Sequence, residues 1–356
     1  MKLNDLSTAF TFDDVMLEPR QSRINSRKEP SPFVQLGKWS PLTVPIISSP
    51  MNTVTESAMA DAMLSLGADA VIHRYMSIKE QVDMFYDVQR GDLRPENQTN
   101  VAPWVAVGAA GDFRPRVVAL HDAGARKFCI DVANGHNEHC IEAVRYIKRF
   151  SPHSDIMAGN VCTYWGAHEL VDAGANVVRV GIGPGSMCIT RIVTGHGVPQ
   201  MTAIERCADV KSHNPHVSIV ADGGMRSSGD IVKAIAIGAD AVMLGGLLAG
   251  TSQTPGETIR DPDGSLYKMY NGMASEEGRK NWFDKEATSF VPEGSSTKVA
   301  FKGDVKKIIE QLVGGLRVGM SISDALTLDE LRSKARWVRV TENGKREGNP
   351  NKRMYR

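Results

Sequence analysis

The sequence lacks the features that mark membrane, secreted and nucleic-acid-binding proteins. No apolar run approaches the roughly 18 residues that a transmembrane helix needs. Residues 1–15 carry acidic and polar side chains where the apolar core of a signal peptide would lie. The 42 Lys and Arg residues balance 41 Asp and Glu, so a net charge of +1 provides no strong field for nucleic acid or an anionic membrane. These absences predict a soluble, cytoplasmic protein.

Metal-site and disulfide patterns are also missing. The 5 cysteines are odd in number and contain no CxxC pair, and the 9 histidines contain no HExxH motif. Most of the cysteines lie in apolar contexts, which is typical of small core residues in a reducing compartment. With 42% hydrophobic residues over 356 positions, the chain can bury a large core without disulfides or a structural metal. We therefore do not expect a metalloenzyme.

A short phrase does recur: the end of a helix, a glycine, and an apolar strand. It occurs as SLGADAVIH (65–73), DAGARKFCI (122–130), DAGANVVRV (172–180) and AIGADAVML (236–244). The glycine can end the helix in the left-handed conformation without steric cost. The glycines are spaced by 57, 50 and 64 residues, about twice the roughly 25–35 residues of one βα unit. Less similar units are therefore expected between them.

Eight apolar segments are predicted to be strands, and helical patterns separate them. The strands are 44–49, 69–74, 103–108, 127–132, 155–161, 177–182, 218–223 and 241–245. The helices are 54–66, 77–90, 113–123, 138–149, 165–173, 201–211 and 228–237. This alternation indicates a parallel sheet buried on both faces, and eight strands close a (β/α)8 TIM barrel. A doubly wound sheet competes, but its usual GxGxxG motif is missing after the first strand.

Two long segments interrupt the alternation and are expected to be functional. One is a loop over 183–200 after the sixth strand, and the other is a flap over 250–303 after the eighth. In a barrel, both lie at the C-terminal face of the strands, where active sites are built. We expect residues 1–356 to form a single α/β barrel domain. Its basic end, 343–356, is predicted to be a flexible tail.

The loop GPGSMCITR (183–191) carries the most chemical information. Glycines let a backbone turn tightly and point successive amides or carbonyls at one ligand, and the Ser186 hydroxyl suits a phosphate. Cys188 lies in a polar loop, unlike the other cysteines, and Thr190 could relay a proton. A nucleophilic cysteine needs such partial exposure. The alternative is that Cys188 is a small hydrophobic residue in a loop.

Glycine pairs follow the last two predicted strands. Gly223-Gly224 comes directly after Asp222, and Gly245-Gly246 ends the eighth strand. Phosphate sites of barrels commonly form at these two loops. An aspartate beside such a site suits two vicinal ribose hydroxyls, although Asp222 could also be a turn cap. Each glycine pair could simply mark a turn. Together with Ser186, they predict a nucleoside 5′-phosphate that lies across strands six to eight.

At this point the sequence resembles the IMP dehydrogenase/GMP reductase family of (β/α)8 barrels, over about residues 8–340. The motif that carries the resemblance is GIGPGSMCITR (181–191). Supporting segments are FTFDDVMLEP (10–19), VPIISSPMNTVTE (44–56), DVANG (131–135), AGNV (158–161), DGG (222–224), MLGGLLAG (243–250), YNGM (270–273), PEG (292–294) and FKGDV (301–305).

The family has two activities, and several segments favour the reductase. Dehydrogenases typically insert regulatory CBS modules after the second strand, whereas only RGDLRPENQTN (90–100) occupies that place here. They also use an Arg-Tyr pair on the flap, and no such pair occurs between 273 and 294. GMASE (272–276) resembles the GMSSE motif of reductases, and LGGLLAG and FKGDV resemble that branch too. SSPMNTVTES and VPEG look more like the dehydrogenase branch.

The resemblance implies NADPH-dependent conversion of GMP to IMP and ammonia. Cys188 would form a covalent thioimidate at C2 of guanine, while Thr190 and Glu276 would deliver and shuttle the proton to the leaving ammonia. A dehydrogenase that converts IMP to XMP with NAD, and an inactive nucleotide-binding barrel, are the alternatives. Retention of Cys188, Thr190 and Glu276 argues against the inactive barrel.

The resemblance also assigns binding roles. The phosphate would be held by Ser186, Gly223, Gly224, Gly245 and Gly246 with Tyr270 close by, and the ribose by Asp222. The purine would contact Met273 and Glu293 above a floor of Ser49 and Met51. The nicotinamide side would contain Asp131 and Asn160, and the carbonyls of Gly183, Gly185 and Cys188 would bind a monovalent cation, K⁺. Without the resemblance, Tyr270, Met273 and Glu276 would indicate an ordinary β-hairpin with a solvated charge.

Three positions depart from the family pattern. Asn52 stands where an aspartate is usual, Arg74 where a lysine is usual, and Asn271 where a reductase often has tyrosine. These departures leave open which purine nucleotide, including a modified or deoxy one, is preferred. The choice of NADPH over NADH rests on the branch alone, because no separate motif for the 2′-phosphate is present. A homotetramer is expected by analogy with the family.

Overall fold

Three short strands precede the main sheet in the computed structural model, which describes residues 6–90, 102–280 and 291–348. They are β1 (Val15–Leu17), β2 (Val34–Leu36) and β3 (Ser40–Leu42). The last two pair as an antiparallel hairpin.

Eight parallel strands follow and close into a barrel. Each strand pairs with the next, and the last pairs with the first, where Val242 lies opposite Ile46. The strands are β4 (Ile46–Ser48), β5 (Asp69–Ile72), β6 (Trp104–Val107), β7 (Lys127–Asp131), β8 (Asp155–Val161), β9 (Val177–Val180), β10 (Ser218–Asp222) and β11 (Ala241–Leu244). Nearly every residue in them is buried, as expected for strands covered on both faces. The predicted (β/α)8 barrel is confirmed.

Helices connect the strands on the outside of the barrel and also occur in the loops. They are α1 (Ser57–Ser65), α2 (Ile78–Arg90), α3 (Phe113–Asp122), α4 (Glu138–Phe150), α5 (Tyr164–Ala173), α6 (Thr190–Thr194), α7 (Gln200–Ala208), α8 (Ser228–Ala236), α9 (Glu276–Lys280), α10 (Val305–Ile322), α11 (Leu328–Lys334) and α12 (Glu342–Glu347). Seven of them coincide with the predicted helical segments. The short helices α6 and α9, and the C-terminal helices α10, α11 and α12, fall outside those segments.

The repeated glycines end helices as the sequence predicts. Gly67, Gly124, Gly174 and Gly238 have φ values of +76°, +100°, +115° and +138°. Residues with a side chain rarely adopt positive φ values, whereas glycine does so without strain. Each of these glycines lets the chain leave a helix and enter the next buried strand within a few residues.

The β2–β3 hairpin closes the N-terminal end of the barrel. Leu36 and Leu42 are fully buried and pack with Trp104 and Met157 in the barrel interior. The carboxylate of Asp155, at the start of β8, accepts hydrogen bonds of 2.6 and 2.8 Å from the backbone N–H groups of residues 38 and 39. Because the hairpin covers this end, the described part of the chain leaves the C-terminal face as the approach to the barrel axis.

The C-terminal face carries the long loop after β9 and the flap after β11, as predicted. The flap contains a three-stranded antiparallel sheet, in the order β12 (Ile259–Arg260), β13 (Leu266–Asn271) and β14 (Ser296–Ala300). Helix α9 follows β13, and α6 lies in the loop after β9. Both long segments therefore meet above the ends of the barrel strands.

The C-terminal part of the chain returns to its beginning. Strand β15 (Trp337–Arg339) pairs antiparallel with β1. The predicted tail begins within α12, whose first turn is capped by the Thr341 hydroxyl, and Lys345 forms a 2.9 Å ion pair with Asp13. Residues 349–356 of the predicted tail lie outside the described residues. Over the ranges described, no helix combines the length and the apolar character needed to cross a membrane.

Candidate active site

The loop after β9 is built around the side chain of Arg191. Its guanidinium donates hydrogen bonds of 3.0 Å to the Ile182 carbonyl and 2.6 Å to the Val198 carbonyl. Gly183 has a φ of +83°, and a Cβ there would lie 2.4 Å from Cγ of Arg191. The glycine is therefore required by both conformation and space. This packing fixes the two ends of the loop that carries Cys188.

The middle of that loop pairs with the flap through antiparallel backbone hydrogen bonds. The Ile189 N–H donates to the Glu293 carbonyl at 2.9 Å, and the Ser295 N–H donates to the Met187 carbonyl at 2.9 Å. Cys188 thus lies opposite Gly294 in an antiparallel bridge. A Cβ on Gly294 would lie 2.9 Å from the backbone nitrogen of residue 275, so the three chain segments pack directly backbone to backbone.

This pairing places a hydroxyl and a carboxylate next to the candidate nucleophile. The Cys188 thiol donates to Oγ1 of Thr190 at 3.2 Å, and Thr190 Oγ1 donates to Oε2 of Glu293 at 2.8 Å. Cys188 is half-buried. A thiol, a hydroxyl and a carboxylate connected in this order can move a proton between sulfur and carboxylate.

The other four cysteines have a different environment. Cys129, Cys140, Cys162 and Cys207 are buried. Burial raises the pKa of Cys129 and of Cys140 to about 12, and it also raises the pKa values of Cys162 and Cys207. Because the thiolate is the reactive form, these side chains are poor nucleophiles at neutral pH.

Glu276 does not join Cys188 in the structure. It is the first residue of α9, its side chain is exposed, and it is not among the residues that line the cavity described below. The resemblance had implied a proton-shuttling role for Glu276 beside Thr190. The carboxylate that Thr190 contacts belongs to Glu293 instead. The local motif GMASE lies where the hairpin ends, but the chain turns there into α9, in which the Glu276 side chain is exposed.

Small residues and hydroxyls form a cradle at the ends of β10 and β11. The Ser186 hydroxyl lies 3.3 Å from Oη of Tyr270. A Cβ on Gly246 would lie 2.8 Å from Oγ of Ser186, and one on Gly245 would lie 3.0 Å from Oγ of Ser49. The buried Ser49 hydroxyl has no hydrogen-bond partner within the described residues. Buried hydroxyls are normally satisfied, so this unpaired group indicates a place for a polar ligand.

The second glycine pair has the conformation expected of an anion-binding loop. Gly223 and Gly224 have φ values of +84° and +83°, and a Cβ on Gly223 would lie 2.9 Å from the Gly185 nitrogen. The loops after β9, β10 and β11 therefore approach one another closely. Such closely packed glycine loops, together with Ser186 and Tyr270, suit a phosphate group.

A buried charge network links the ends of four strands. Arg179, inside the barrel on β9, donates to Oδ1 of Asp131 at 2.7 Å and lies 3.1 Å from Oδ2 of Asp222. It also donates to the Asn160 side-chain oxygen. The Asn160 amide in turn donates to Asp222 at 2.8 Å. Arg74, on the loop after β5, adds a hydrogen bond to the Asp131 carbonyl at 3.3 Å.

Burial and charge act in opposite directions within this network. Burial would lower the pKa of Arg179, but the carboxylates of Asp131 and Asp222 outweigh it and raise that pKa, so the guanidinium stays charged. Burial raises the pKa of Asp222, and the guanidinium and the Asn160 amide counteract this rise. The sequence analysis did not identify Arg179. The sequence nevertheless contained a signal for it, namely a single charged residue in the apolar strand VVRV. A buried arginine normally requires charged partners.

The Cys188 loop, the glycine cradle and the charge network around Arg179 line one cavity of about 740 Å³. Its volume lies within the usual range of ligand sites, about 300–1,000 Å³. Every predicted site residue except Glu276 lines it. These residues are Ser49, Met51, Asp131, Asn160, Gly183, Gly185, Ser186, Cys188, Thr190, Asp222, Gly223, Gly224, Gly245, Gly246, Tyr270, Met273 and Glu293.

The predicted cation ligands are backbone carbonyls of the Cys188 loop. The Gly185 carbonyl also accepts a 3.0 Å hydrogen bond from the Cys188 N–H, so one of the three predicted ligands already has a partner within the loop. Oxygen donors of this type suit a hard cation. Among the residues that the structure describes, no group of three His, Cys, Asp or Glu side chains could hold a metal ion.

The fold and the cavity define a (β/α)8-barrel protein with a candidate nucleophile at the C-terminal face of its strands. The sequence profile of the IMP dehydrogenase / GMP reductase domain matches residues 9–351. The chain belongs to this family, whose members are oxidoreductases that use a nicotinamide cofactor. The resemblance inferred from the motifs is thereby confirmed.

Two curated relatives and one solved structure illustrate the match. The IMP dehydrogenase of Cryptosporidium parvum is 36% identical over 387 residues, which cover 98% of this chain and 96% of that protein. The IMP dehydrogenase of Aquifex aeolicus is 47% identical over 248 residues, 68% of this chain and 50% of that protein. The GMP reductase of Trypanosoma brucei, solved with guanosine 5′-monophosphate, is 31% identical with a TM-score of 0.91, covering 98% of each chain.

Proposed function

We propose that this protein is a GMP reductase, which converts GMP to IMP and ammonia with NADPH through a thioimidate on Cys188. The observation that carries the proposal is the hydrogen-bonded chain from Cys188 through Thr190 to Glu293. A reductase must expel an amino group, and such a nitrogen leaves only when it is protonated. The chain ends in a carboxylate that can accept the thiol proton and return it.

In this mechanism Cys188 gives its proton through Thr190 to Glu293, and its sulfur bonds to C2 of the guanine ring. The bond between C2 and the amino nitrogen then breaks, while the proton returns through Thr190 and ammonia leaves. When bound, NADPH would supply a hydride to C2. The carbon–sulfur bond breaks, Cys188 leaves as a thiolate and IMP is released. We assign the proton shuttle to Glu293 rather than to Glu276, because Oε2 of Glu293 is 2.8 Å from Thr190 Oγ1.

The remaining groups would hold the nucleotide. Ser186, Tyr270 and the two glycine pairs form the cradle proposed for the phosphate, and the Asp222 carboxylate is proposed for the ribose hydroxyls. The purine would lie between Met273 and the floor formed by Ser49 and Met51. One oxygen of Glu293 accepts from Thr190, so the purine N–H contact would involve the other.

The residues on the far side of the cavity fit the nicotinamide part of a cofactor. Asp131, Asn160 and Arg179 present an amide and two charged groups next to the cavity, which suits a carboxamide and ribose hydroxyls. NADPH rather than NADH, K⁺ at the Gly183 and Gly185 carbonyls, a homotetramer and a cytoplasmic location remain predictions from the resemblance.

IMP dehydrogenase is the second candidate, and the names of the curated relatives favour it. In the sequence, the missing CBS insertion counted against this activity. That argument does not discriminate, because the alignment to the C. parvum dehydrogenase spans only 387 residues and still covers 96% of that protein. The lack of an Arg-Tyr pair between 273 and 294 remains a difference from the dehydrogenase pattern. A barrel that binds nucleotide without catalysis would need no Cys188–Thr190–Glu293 chain.

The decisive experiment offers the purified protein GMP or IMP together with either reduced or oxidised nicotinamide cofactor. Absorbance of the reduced cofactor and release of ammonia are followed in parallel. We expect GMP with NADPH to give IMP, ammonia and oxidised cofactor in equal amounts. Steady XMP formation from IMP and NAD⁺, without ammonia from GMP, would instead establish the dehydrogenase. No turnover with any pair, but tight nucleotide binding, would support the non-catalytic barrel.

A further inference from the structure

Two of the three positions that depart from the family pattern contact each other. Asn52 lies on the loop after β4, and Asn271 is the last residue of β13, 219 positions away. The Asn271 side-chain amide donates a 3.0 Å hydrogen bond to Oδ1 of Asn52. Both side chains are uncharged, so the contact is a neutral amide pair. We refer to it as the amide pair.

The neighbouring residue Thr53 strengthens this connection. Its hydroxyl accepts a hydrogen bond of 3.3 Å from the Asn271 N–H and lies 3.4 Å from the Asn271 carbonyl, to which it donates. The loop after β4 therefore contacts both the side chain and the backbone of Asn271. Asn271 is buried, with 7% of the residue exposed. Its side-chain amide also donates to the Gly272 carbonyl at 3.4 Å, so loss of Asn52 would leave one of its two N–H groups unsatisfied.

The loop that carries Asn52 and Thr53 is itself a rigid turn. The Thr55 hydroxyl donates to the Ser49 carbonyl at 2.6 Å. The Thr55 N–H donates to the Met51 carbonyl at 2.9 Å. This turn follows directly from barrel strand β4, so it can fix the position of a segment that packs against it. That segment is the end of β13 at Asn271.

The group fixed in this way is Met273, two residues beyond Asn271. Its sulfur accepts a 3.2 Å hydrogen bond from the Asn52 N–H, and its side chain lines the cavity. On the other side, a Cβ on Gly272 would lie 3.2 Å from the Met187 carbonyl, next to Cys188. The hairpin end is therefore held between the turn after β4 and the nucleophile loop.

We propose that the amide pair is a positioning element that holds Met273 against the purine base and thereby sets the affinity for the base. Neither asparagine lines the cavity, so the effect is transmitted through Met273. The inference rests on the proposed function in one respect, namely that the ligand is a purine nucleotide. The proposed ribose contact at Asp222 and the proposed cofactor contacts lie on other loops, and the amide pair leaves them unchanged. In the phosphate cradle, Tyr270 is the neighbour of Asn271 in β13.

A double-mutant cycle tests this directly. Asn52→Ala, Asn271→Ala and the double variant are compared with the unaltered protein by calorimetric titration of GMP and by steady-state kinetics. Each single change is expected to raise the dissociation constant and the KM for GMP by about tenfold, the scale of one lost buried hydrogen bond. The double variant should bind GMP no more weakly than the weaker-binding single variant, because both changes remove the same interaction. The KM for the cofactor should stay unchanged.

Two further variants separate positioning from folding. Asn52→Asp keeps the acceptor for the Asn271 amide and is expected to restore GMP affinity. Met269→Ala, at an exposed position of β13, is the matched control and should bind GMP normally. Thermal unfolding midpoints establish that each variant is folded. Asn52 is only half-buried, so the Asn52 variants remain informative even if Asn271→Ala fails to fold.

The outcomes distinguish this inference from the proposed function. If the unaltered protein binds GMP and the asparagine variants bind it equally well, the positioning role is wrong while the proposed function stands. An equal rise in the KM values for GMP and cofactor would also overturn the positioning role, because it would indicate general loosening of the structure. Failure of Asn52→Asp to restore GMP affinity would overturn it too. If the unaltered protein binds neither GMP nor IMP, the proposed function fails and this inference fails with it.

Discussion

Thr190 and Glu293 are 103 positions apart in the chain, yet their side chains form a hydrogen bond of 2.8 Å. Thr190 belongs to the loop after β9 and Glu293 to the flap after β11. The bond exists because the backbone around Gly294 pairs with the backbone around Cys188. The candidate nucleophile and the carboxylate proposed as its proton acceptor are thus brought together by the same antiparallel pairing.

The nucleophile can be tested with a matched pair of cysteine variants. Cys188→Ala is expected to abolish turnover while GMP binding, measured by calorimetry, stays close to that of the unaltered protein, because the phosphate and ribose contacts do not involve sulfur. Cys140→Ala, in the buried face of α4, should lower the unfolding temperature and leave the rate unchanged. Normal turnover by Cys188→Ala would exclude covalent catalysis by this residue.

The proton shuttle can be tested with two glutamate variants that differ only in position. Glu293→Gln is expected to slow oxidation of NADPH by GMP by about 10²-fold or more, the usual scale for a positioned acid or base. Glu276→Gln should have little effect, because its side chain is exposed and lies away from the cavity lining. Single-turnover rates give the comparison. A large effect of Glu276→Gln with a small one of Glu293→Gln would return the shuttle role to Glu276.

The raised pKa of Asp222 predicts how nucleotide affinity depends on pH. In the proposed function, ribose hydroxyls donate to the Asp222 carboxylate, so binding should weaken as the pH falls through the pKa of Asp222. Burial moves this loss to a higher pH than for an ordinary aspartate, whose pKa is about 3.9. As the pH falls from neutral, GMP affinity should therefore decline more steeply than in Asp222→Asn.

The second ionisation of the GMP phosphate, near pH 6, contributes equally to both proteins. The difference between the two calorimetric profiles therefore isolates Asp222. Parallel profiles would show that this carboxylate does not bind the ribose.

The phosphate cradle can be tested by adding one methyl group. In Gly246→Ala the new Cβ would lie 2.8 Å from Oγ of Ser186, so Ser186 must move and the KM for GMP should rise. Gly314→Ala is the control, since nothing lies within 4 Å of its Cβ in helix α10. That control should keep its KM and gain about 0.5–1 kcal/mol of stability. An unchanged KM in Gly246→Ala would place the phosphate elsewhere.

The barrel could be predicted because its information is local. In each βα unit, a helix, a glycine such as Gly174 and an apolar strand follow one another within the sequence, and the predicted strands end within two residues of the observed ones. The placement of polar residues at the strand ends could be predicted for the same reason. Asp131, Asn160 and Asp222 each lie at the end of an apolar strand, and parallel strands all end at one face of the barrel.

Arg179 shows where local patterns stop. The strand VVRV contains one charged residue, which indicates that it has a buried partner but not which partner. Asp131 and Asp222 lie on β7 and β10, and only closure of the barrel brings them both to Arg179.

The sequence by itself therefore determined the barrel, the position of Cys188 on a loop at its C-terminal face, and the glycines around it, because each of these depends on neighbouring residues. Only the tertiary structure decided which glutamate reaches Thr190. Glu276 and Glu293 both lie in the flap, and nothing local distinguishes them. The backbone hydrogen bond from the Ile189 N–H to the Glu293 carbonyl makes the choice, since it holds Glu293 against the Cys188 loop while Glu276 is exposed on α9.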